Sequence, residues 1–138
     1  MSETVLPVRP VPITTERDTA GFFEACAQGK LVVRSCTNCG AVYALPREYC
    51  RACSQWSMGW KEVSGEGYLY SSTVTEHQIH PAFPVPYTVV LVELADEPSI
   101  RMVGSIPGDH ELAIGTPMRV VFEEVADGIF LAQWKVQR

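Results

Sequence analysis

Two Cys-x-x-Cys pairs, Cys36/Cys39 and Cys50/Cys53, constrain the fold of this 138-residue chain more than any other feature. Each pair predicts a knuckle, a tight turn that directs two thiolates toward one point. Gly40, directly after the first pair, suits the positive φ that such turns commonly require. Tetrahedral zinc takes four soft ligands at about 2.3 Å, and two knuckles supply them. We therefore predict a closed, structural Zn²⁺ site bound by Cys36, Cys39, Cys50 and Cys53, with no open coordination position for catalysis.

Other uses of these cysteines are less consistent with the pattern. Two disulfides would need an oxidising compartment, for which the sequence carries no signal. A redox Cys-x-x-Cys normally occurs once, at a helix start in a βαβ setting, and neither pair has that setting. An iron centre of rubredoxin type uses the same four thiolates, so zinc and iron both stay open. Cys26 lies outside the spacing, and we interpret it as a small buried hydrophobe.

The residues around the cysteines divide the chain into three predicted parts. Residues 1–13 contain Pro7, Pro10 and Pro12, which predict an extended arm. Residues 14–60 are predicted to hold a helix and a zinc ribbon. The helix would begin at a Thr14 or Thr15 cap and stop at Gly29, and the ribbon would have short strands at 31–34 and 41–45. Residues 61–138 are predicted to form a barrel.

After Trp60 the pattern changes to period two and to β-branched residues, which predicts strands. Asp127-Gly128 between two such runs predicts a hairpin with a type I′ turn, in which both residues have positive φ. The segment 109–114 is where barrels of this kind often carry a short helix. The fold class is therefore mainly β, a rubredoxin-like zinc ribbon followed by a closed five-stranded OB-fold barrel. The predicted barrel strands are 67–75, 87–95, 99–106, 118–126 and 129–136.

Composition narrows the choice of partner. The formal net charge is −5 and the eleven basic residues are scattered, which disfavours a phosphate-backbone binder. No apolar run approaches the roughly 20 residues that span a bilayer, so we expect no membrane segment. The N-terminal residues do not read as a signal peptide, and the expected location is the cytoplasm.

The order of these features resembles a known family. The matching phrases are FFEACAQGKLVVRSCTNCG, LPREYCRAC, WKEVSGEGYLYSSTVTEH, PYTVVLVELADEP and IGTPMRVVFEE, which together cover about residues 20–135. They resemble the zinc-ribbon plus OB-fold family whose members are often encoded beside thiolase-like or lipid-transfer-protein-like enzymes. One departure is Leu45, where the family often has a second proline.

The resemblance implies an accessory subunit in a hetero-oligomer. The partner would be a thiolase-like or lipid-transfer-protein-like enzyme acting on an acyl-CoA or similar thioester, and the coenzyme A thioester would be shared with it. Known settings for the family include acyl transfer, thiolysis-linked synthesis and retro-aldol cleavage of steroid side-chain thioesters, and nothing in the sequence selects among them. The resemblance also makes the ribbon a docking arm and the barrel mouth a ligand-facing surface.

Polar residues outside the knuckles carry no obvious chemistry. Glu76, His77 and His80 could form a general base or a metal site, but a solvated strand end is the more common arrangement. The pair Asp109 and His110 sits in turn-forming sequence. With no nucleophile–base pair to place, we predict no catalytic residue in this chain.

Four aromatic positions merit a prediction. Phe83, in a Pro-rich loop, would either plug the barrel core or anchor a partner. Trp56 and Trp60 are predicted to pack the ribbon against the barrel, and Trp134 is predicted to lie in the core.

Two functions of other classes stay open. The first is a single-stranded nucleic-acid-binding OB-fold module, which would need a basic groove that this chain lacks. The second is a stand-alone thioester enzyme, which would need a nucleophile and a base. A salt-sensitive shift with single-stranded DNA would favour the first, and turnover by the isolated chain would favour the second.

Overall fold

The computed structural model describes residues 8–138, and one short helix and eight strands form the regular structure of this part. Within the predicted arm, residues 8–13 are neither helix nor strand, whereas Pro7 and the residues before it lie outside the described residues. The bounds of the elements are α1 Ala20–Ala27, β1 Leu31–Cys36, β2 Val42–Tyr43, β3 Met58–Val63, β4 Glu66–Thr75, β5 Tyr87–Leu94, β6 Arg101–Pro107, β7 Pro117–Ala126 and β8 Ile129–Val136.

Helix α1 is shorter than predicted at its N-terminal end. A turn precedes it, in which the Ala20 N–H donates to the Glu16 carbonyl at 2.8 Å, and the N-cap is Thr19 without a side-chain cap. The prediction of a cap at Thr14 or Thr15 is therefore wrong. The C-terminal end is as predicted, because Gly29 has a φ of 73° and its N–H donates to the Cys26 carbonyl at 3.0 Å.

The ribbon is a three-stranded antiparallel sheet in the order β2-β1-β3. Strand β1 pairs with β2 over two residue pairs and with β3 over six, from Leu31↔Val63 to Cys36↔Met58. The sequence did not predict β3, whose pattern is weak on its own. The predicted division of the chain at residue 60 stays a prediction, although β3 runs across this position.

The second sheet has the order β6-β5-β4-β7-β8, and all of its pairs are antiparallel. Its inward residues alternate with outward ones along β5, as a half-buried strand requires. This mainly β, OB-like architecture confirms the predicted fold class. The core combines residues from β1 and β3 with residues from the five-stranded sheet: Leu31, Val33, Val63, Leu69, Val90, Val92, Leu94, Ile100, Met118 and Trp134.

The sheet does not close into the predicted barrel. No backbone ladder joins β6 to β8 in the described part of the chain. The two strands instead approach at Gly104, where an added Cβ would lie 2.8 Å from the Trp134 ring, and the Gln133 side chain accepts the Ser105 N–H at 2.8 Å. A side-chain bridge therefore replaces part of the ladder and leaves a seam between the two edge strands.

Two local predictions are also wrong. Residues 109–114 contain no helix: the chain there is irregular up to a turn at Ile114, and Leu112 packs against the core. The hairpin at Asp127-Gly128 exists, but only Gly128 has a positive φ (74°), and a register shift between Glu124 and Ala126 accompanies it. The bulge supplies the twist that a type I′ turn would otherwise provide.

Candidate metal centre and adjoining cleft

The two knuckles have the same backbone geometry. The Gly40 N–H donates to the Cys36 carbonyl at 2.9 Å, and the Ser54 N–H donates to the Cys50 carbonyl at 2.7 Å. Gly40 has a φ of 77° and Ser54 a φ of 61°. The role of Gly40 is as predicted, whereas Ser54 was missed. Its position directly after the second Cys-x-x-Cys pair was the available signal, and a serine there accepts a conformation that favours glycine.

The structure brings the four predicted cysteine sulfurs together, all within 4.8 Å of one another. Two sulfur pairs join one knuckle to the other, Cys36–Cys53 at 3.6 Å and Cys39–Cys50 at 3.6 Å. A zinc ion with four Zn–S bonds of about 2.3 Å requires sulfur–sulfur separations of about 3.8 Å. The four cysteines are therefore positioned to bind a metal ion. Within residues 8–138, no other group of three or more His, Cys, Asp or Glu side chains is so placed.

Two side chains outside the motif contact the sulfurs. The Tyr43 hydroxyl lies 3.2 Å from Cys50 Sγ, and the Ser57 hydroxyl lies 3.4 Å from Cys36 Sγ. Both of these cysteines are buried. Hydroxyl donors to a buried thiolate orient the ligand and stabilise its charge. Neither residue was predicted from the sequence, because strand pairing brings Tyr43 to the site and a backbone hydrogen bond from the Thr37 N–H to the Ser57 carbonyl holds Ser57 there.

Without a bound cation, the thiols of Cys36 and Cys39 have very different pKa values. A hydrogen bond from Ser57, then one from the Cys39 backbone, lowers the pKa of Cys36 to about 6. The Ala41 N–H lowers the pKa of Cys39, but burial and hydrogen bonding among the clustered thiols outweigh it and raise that pKa to about 12. One sulfur therefore ionises easily while its neighbour stays protonated. A bound dication removes this conflict, because four thiolates can then share its charge.

A buried arginine holds the loop between the knuckles. Arg34 in β1 is 6% exposed and forms an ion pair with Glu48. Its Nε donates to the Arg47 carbonyl at 3.0 Å, and its guanidinium lies 4.4 Å from the centroid of the Trp60 ring. A buried cation needs such partners to offset its desolvation. Arg34 thus links the loop between the two cysteine pairs to β3, a role that the sequence did not indicate.

A cleft of about 610 Å³ lies between α1, the ribbon and the open seam of the larger sheet. Its walls are mostly apolar, and Arg34 and Trp60 extend to it from the ribbon. The apolar part of the lining includes Phe22, Phe23, Leu45, Val103, Leu131 and Trp134. Clefts of this size and polarity are typical of binding sites.

The polar candidates of the sequence analysis do not converge on a site. His77 is exposed, whereas His80 is half-buried and its Nδ1 accepts the Ala82 N–H at 3.1 Å. These side chains and Glu76 belong to no group positioned to bind a metal among the described residues. The His110 ring contacts the Pro107 carbonyl at 2.7 Å, beside the exposed Asp109, which agrees with a role in the turn.

The aromatic predictions have mixed outcomes. Trp134 is 2% exposed and belongs to the core, as predicted. Trp60 lines the cleft where α1 meets the ribbon. The prediction for Trp56 is wrong, because its ring is 76% exposed and packs edge-on against Tyr49 at 5.1 Å. Phe83 is half-buried beneath the Arg9 guanidinium and does not belong to the core cluster, so it is not a plug.

The sequence and the fold match those of known domain families. Residues 23–57 match the family described as "ChsH2, rubredoxin-like zinc ribbon domain", and residues 60–123 match "ChsH2, C-terminal OB-fold domain". A solved structure described as "Ltp2-ChsH2(DUF35) aldolase" is 31% identical with a TM-score of 0.81, and the match covers 91% of this chain and 98% of that one. The chain belongs to the ChsH2 family. This membership confirms the resemblance noted in the sequence.

Two further relatives of this ChsH2 family chain bear on its fold and length. A Thermomonospora curvata protein named "Probable enoyl-CoA hydratase alpha subunit" is 36% identical over 113 residues, which are 80% of this chain and 34% of that protein. The chain thus spans about a third of the curated relative it matches. A Sulfolobus solfataricus protein of unknown function from the DUF35 family has a TM-score of 0.61 at 17% identity, covering 90% and 86% of the two chains, and it supports the fold alone.

For this ChsH2 family chain, the metal implied by the ribbon agrees with the donor set. Four sulfurs within 4.8 Å of one another, two of them in contact with hydroxyl groups, suit Zn²⁺ in a closed structural site. The described residues contain no helix long and apolar enough to cross a membrane.

Proposed function

We propose that this chain is a non-catalytic, zinc-containing OB-fold subunit that binds a thiolase-like or lipid-transfer-protein-like enzyme. The observation that carries the proposal is the 31% identity, at a TM-score of 0.81, to nearly the whole of one chain of the Ltp2-ChsH2(DUF35) aldolase. That description names a two-component aldolase. A chain that matches one of its components along almost its full length is best explained as the equivalent component of a similar complex.

The substrate class follows from the same relatives. One is described as an aldolase and the other as a probable enoyl-CoA hydratase subunit, so carbon–carbon chemistry and coenzyme A thioesters are both represented. We infer that the partner acts on an acyl-CoA thioester, by acyl transfer or by an aldol or retro-aldol reaction such as steroid side-chain cleavage. The partner would supply the reacting groups, and this chain would help to organise the site.

The zinc has a structural role in this proposal. Cys36, Cys39, Cys50 and Cys53 would bind Zn²⁺ and thereby hold the loop that Arg34 ties to β3. A small three-stranded ribbon buries too little apolar surface to be stable alone, and metal binding supplies the missing folding free energy. The metal would then keep the ribbon wall of the cleft in place.

Co-expression with the thiolase-like enzyme encoded nearest to this chain tests the proposal. Size-exclusion chromatography with light scattering should detect one stoichiometric complex, and thioester turnover should need both chains. Each chain expressed alone is the control. Clean separation of the two chains, or turnover by this chain alone, would contradict the accessory role.

A further inference from the structure

The outer backbone edge of β6 faces the cleft. At one point this edge is bridged, where the Ser105 N–H donates to the Gln133 side-chain oxygen at 2.8 Å and not to β5. Ser105 is therefore a non-hydrogen-bonded partner of Val89 in the antiparallel ladder. Because such pairs alternate, Val103 and Arg101 also direct their backbone N–H and C=O groups outward.

Both ends of the β5–β6 hairpin agree with this orientation. The Leu94 N–H donates to the Ile100 carbonyl at 3.1 Å, and the Gly108 N–H donates to the Pro86 carbonyl at 2.9 Å. These contacts involve the even-numbered residues on both strands, and the register between them is continuous. The odd-numbered residues of β6 therefore belong to the outer edge.

The two edges of the open seam are not equally covered. Helix α1 packs on β8, and the Cys26 thiol lies near the Ala132 backbone. In the described part of the chain, by contrast, Arg101 and Val103 make no backbone hydrogen bond on their outer side. Val103 is 65% exposed, so the described residues leave most of its surface open. Free edges of this kind are normally protected, because they pair readily with other strands.

The surroundings of this edge suit a peptide. Arg101 and Val103 line the 610 Å³ cleft together with Phe23 and Leu45. Trp134, at the base of the cleft, is 2% exposed, and its indole N–H is buried without a hydrogen-bond partner among the described residues. Backbone groups that point outward occur at every second residue, about 6.6–6.8 Å apart. The backbone groups of an extended chain have the same spacing.

We propose that an extended segment of the partner enzyme adds to β6 as a sixth strand, with alternate apolar side chains in the cleft. This inference rests on the proposed function, since it takes the thiolase-like partner as the source of the strand. The segment would accept from the Arg101 and Val103 N–H groups and donate to their carbonyls. Its side chains on one face would meet Phe23 and Leu45, because strand residues alternate between faces.

Val103→Pro tests this arrangement with little disturbance of the free fold. The Val103 N–H makes no ladder bond with β5, and proline is tolerated on an edge strand when its missing N–H faces outward. Met102, which precedes it, already has the extended conformation that a following proline requires. Val103→Ala is the matched control, because it removes the same side chain but keeps the N–H. Zinc content and thermal unfolding show whether each variant is folded.

We expect Val103→Pro to weaken the complex with the co-expressed thiolase-like enzyme about tenfold or more, since a donor is lost and the strand cannot approach. Val103→Ala should stay within about threefold. In the wild-type complex, amide hydrogen exchange at Arg101 and Val103 should slow on binding. If Val103→Pro does not fold, this exchange measurement decides, and unchanged exchange rates overturn the inference.

Other outcomes separate this inference from the proposed function. A complex that Val103→Pro leaves unchanged, or that Val103→Ala weakens equally, overturns strand addition but leaves the accessory role intact. Slowed exchange at these amides with acetyl-CoA alone would instead assign the edge to a small ligand and overturn the inference. If no complex forms with the wild-type chain, both proposals fail.

Discussion

The Tyr43 hydroxyl lies 3.2 Å from Cys50 Sγ, so a β2 side chain contacts a predicted metal ligand seven residues further along the chain. The hydroxyl lowers the pKa of Cys50 by stabilising its thiolate. Loss of such a supporting contact typically costs 10- to 100-fold in metal affinity. We expect Tyr43→Phe to bind zinc about tenfold more weakly while keeping the same sulfur ligands.

Competition with a chromophoric chelator measures this change. Tyr49→Phe is the control, since Tyr49 packs on the exposed Trp56 ring instead of a cysteine. Equal zinc affinity in Tyr43→Phe and the wild type would contradict a role of the hydroxyl in metal binding.

Removal of one predicted ligand should uncouple the ribbon from the larger sheet. Cys39→Ser leaves three sulfurs, and we expect it to lose the metal and to unfold residues 31–57 at a lower temperature than the rest of the chain. Cys26→Ala is the control, because it removes a cysteine outside the cluster. Metal analysis and thermal unfolding with and without EDTA provide the measurement. A Cys39→Ser protein that keeps one zinc per chain and an unchanged melting curve would exclude the structural role.

The features that the sequence predicted well are those set by residues close together in the chain. The four cysteines and Gly40 belong to a repeated local turn, and the Schellman end of α1 needs only Gly29 and its neighbours. The strand 129–136 was predicted at its observed bounds, because its alternation and flanking turn are both local signals.

The features that it missed depend on residues far apart. Strand β3 has little β-branched character, and its six pairs with β1 make it a strand. Trp56 and Trp60 look alike in the sequence, because both are tryptophans that follow the fourth cysteine. Only Trp60 contacts α1, at Gly21. The open seam could not be predicted, because it results from the contact of Gly104 with Trp134 and from α1 covering β8.

The pKa of Cys26 should lie above that of an ordinary thiol. Burial is the largest cause that raises its pKa to about 11, compared with 9.0 for an unperturbed thiol. The folded state therefore favours the protonated form more strongly than the unfolded state does. The stability that this provides is complete below about pH 9 and is lost as the pH rises toward about 11. A difference of one unit between the folded and unfolded pKa values corresponds to about 1.4 kcal/mol. The loss in the free energy of unfolding is therefore on the order of 2–3 kcal/mol.

Urea unfolding of the zinc-loaded protein between pH 8 and about 11 tests this expectation. Cys26→Ala is the control, since it keeps every other titrating group, and its free energy of unfolding should fall less steeply across this range. If the free energy of unfolding depends on pH in the same way in both proteins, the fold does not raise the pKa of the Cys26 thiol. In the same protein at pH 7.5 or so, iodoacetamide should leave Cys26 unmodified.

Asp96 should make the fold sensitive to acid. The Ser64 hydroxyl donates to its Oδ1 at 2.5 Å and the Ser64 N–H donates to its Oδ2 at 2.9 Å, which ties the β3–β4 turn to the β5–β6 turn. These two bonds lower the pKa of Asp96 below the ordinary value of 3.8, and the bond from the hydroxyl has the larger effect. A carboxylate whose pKa is lower in the folded state stabilises the fold above the unfolded pKa. That contribution is lost as the pH falls through the folded pKa.

Thermal unfolding from neutral pH down to about pH 2 should therefore separate Asp96→Asn from the wild type. The variant should melt at a lower temperature at neutral pH, and the difference should vanish in acid, where the wild-type carboxyl is also uncharged. Asp127→Asn is a suitable control, since Asp127 is exposed in the β7–β8 turn and carries the same charge. A difference between Asp96→Asn and the wild type that persists unchanged at the lowest pH would mean that the shape of the turn, and not the charge of Asp96, provides the stability.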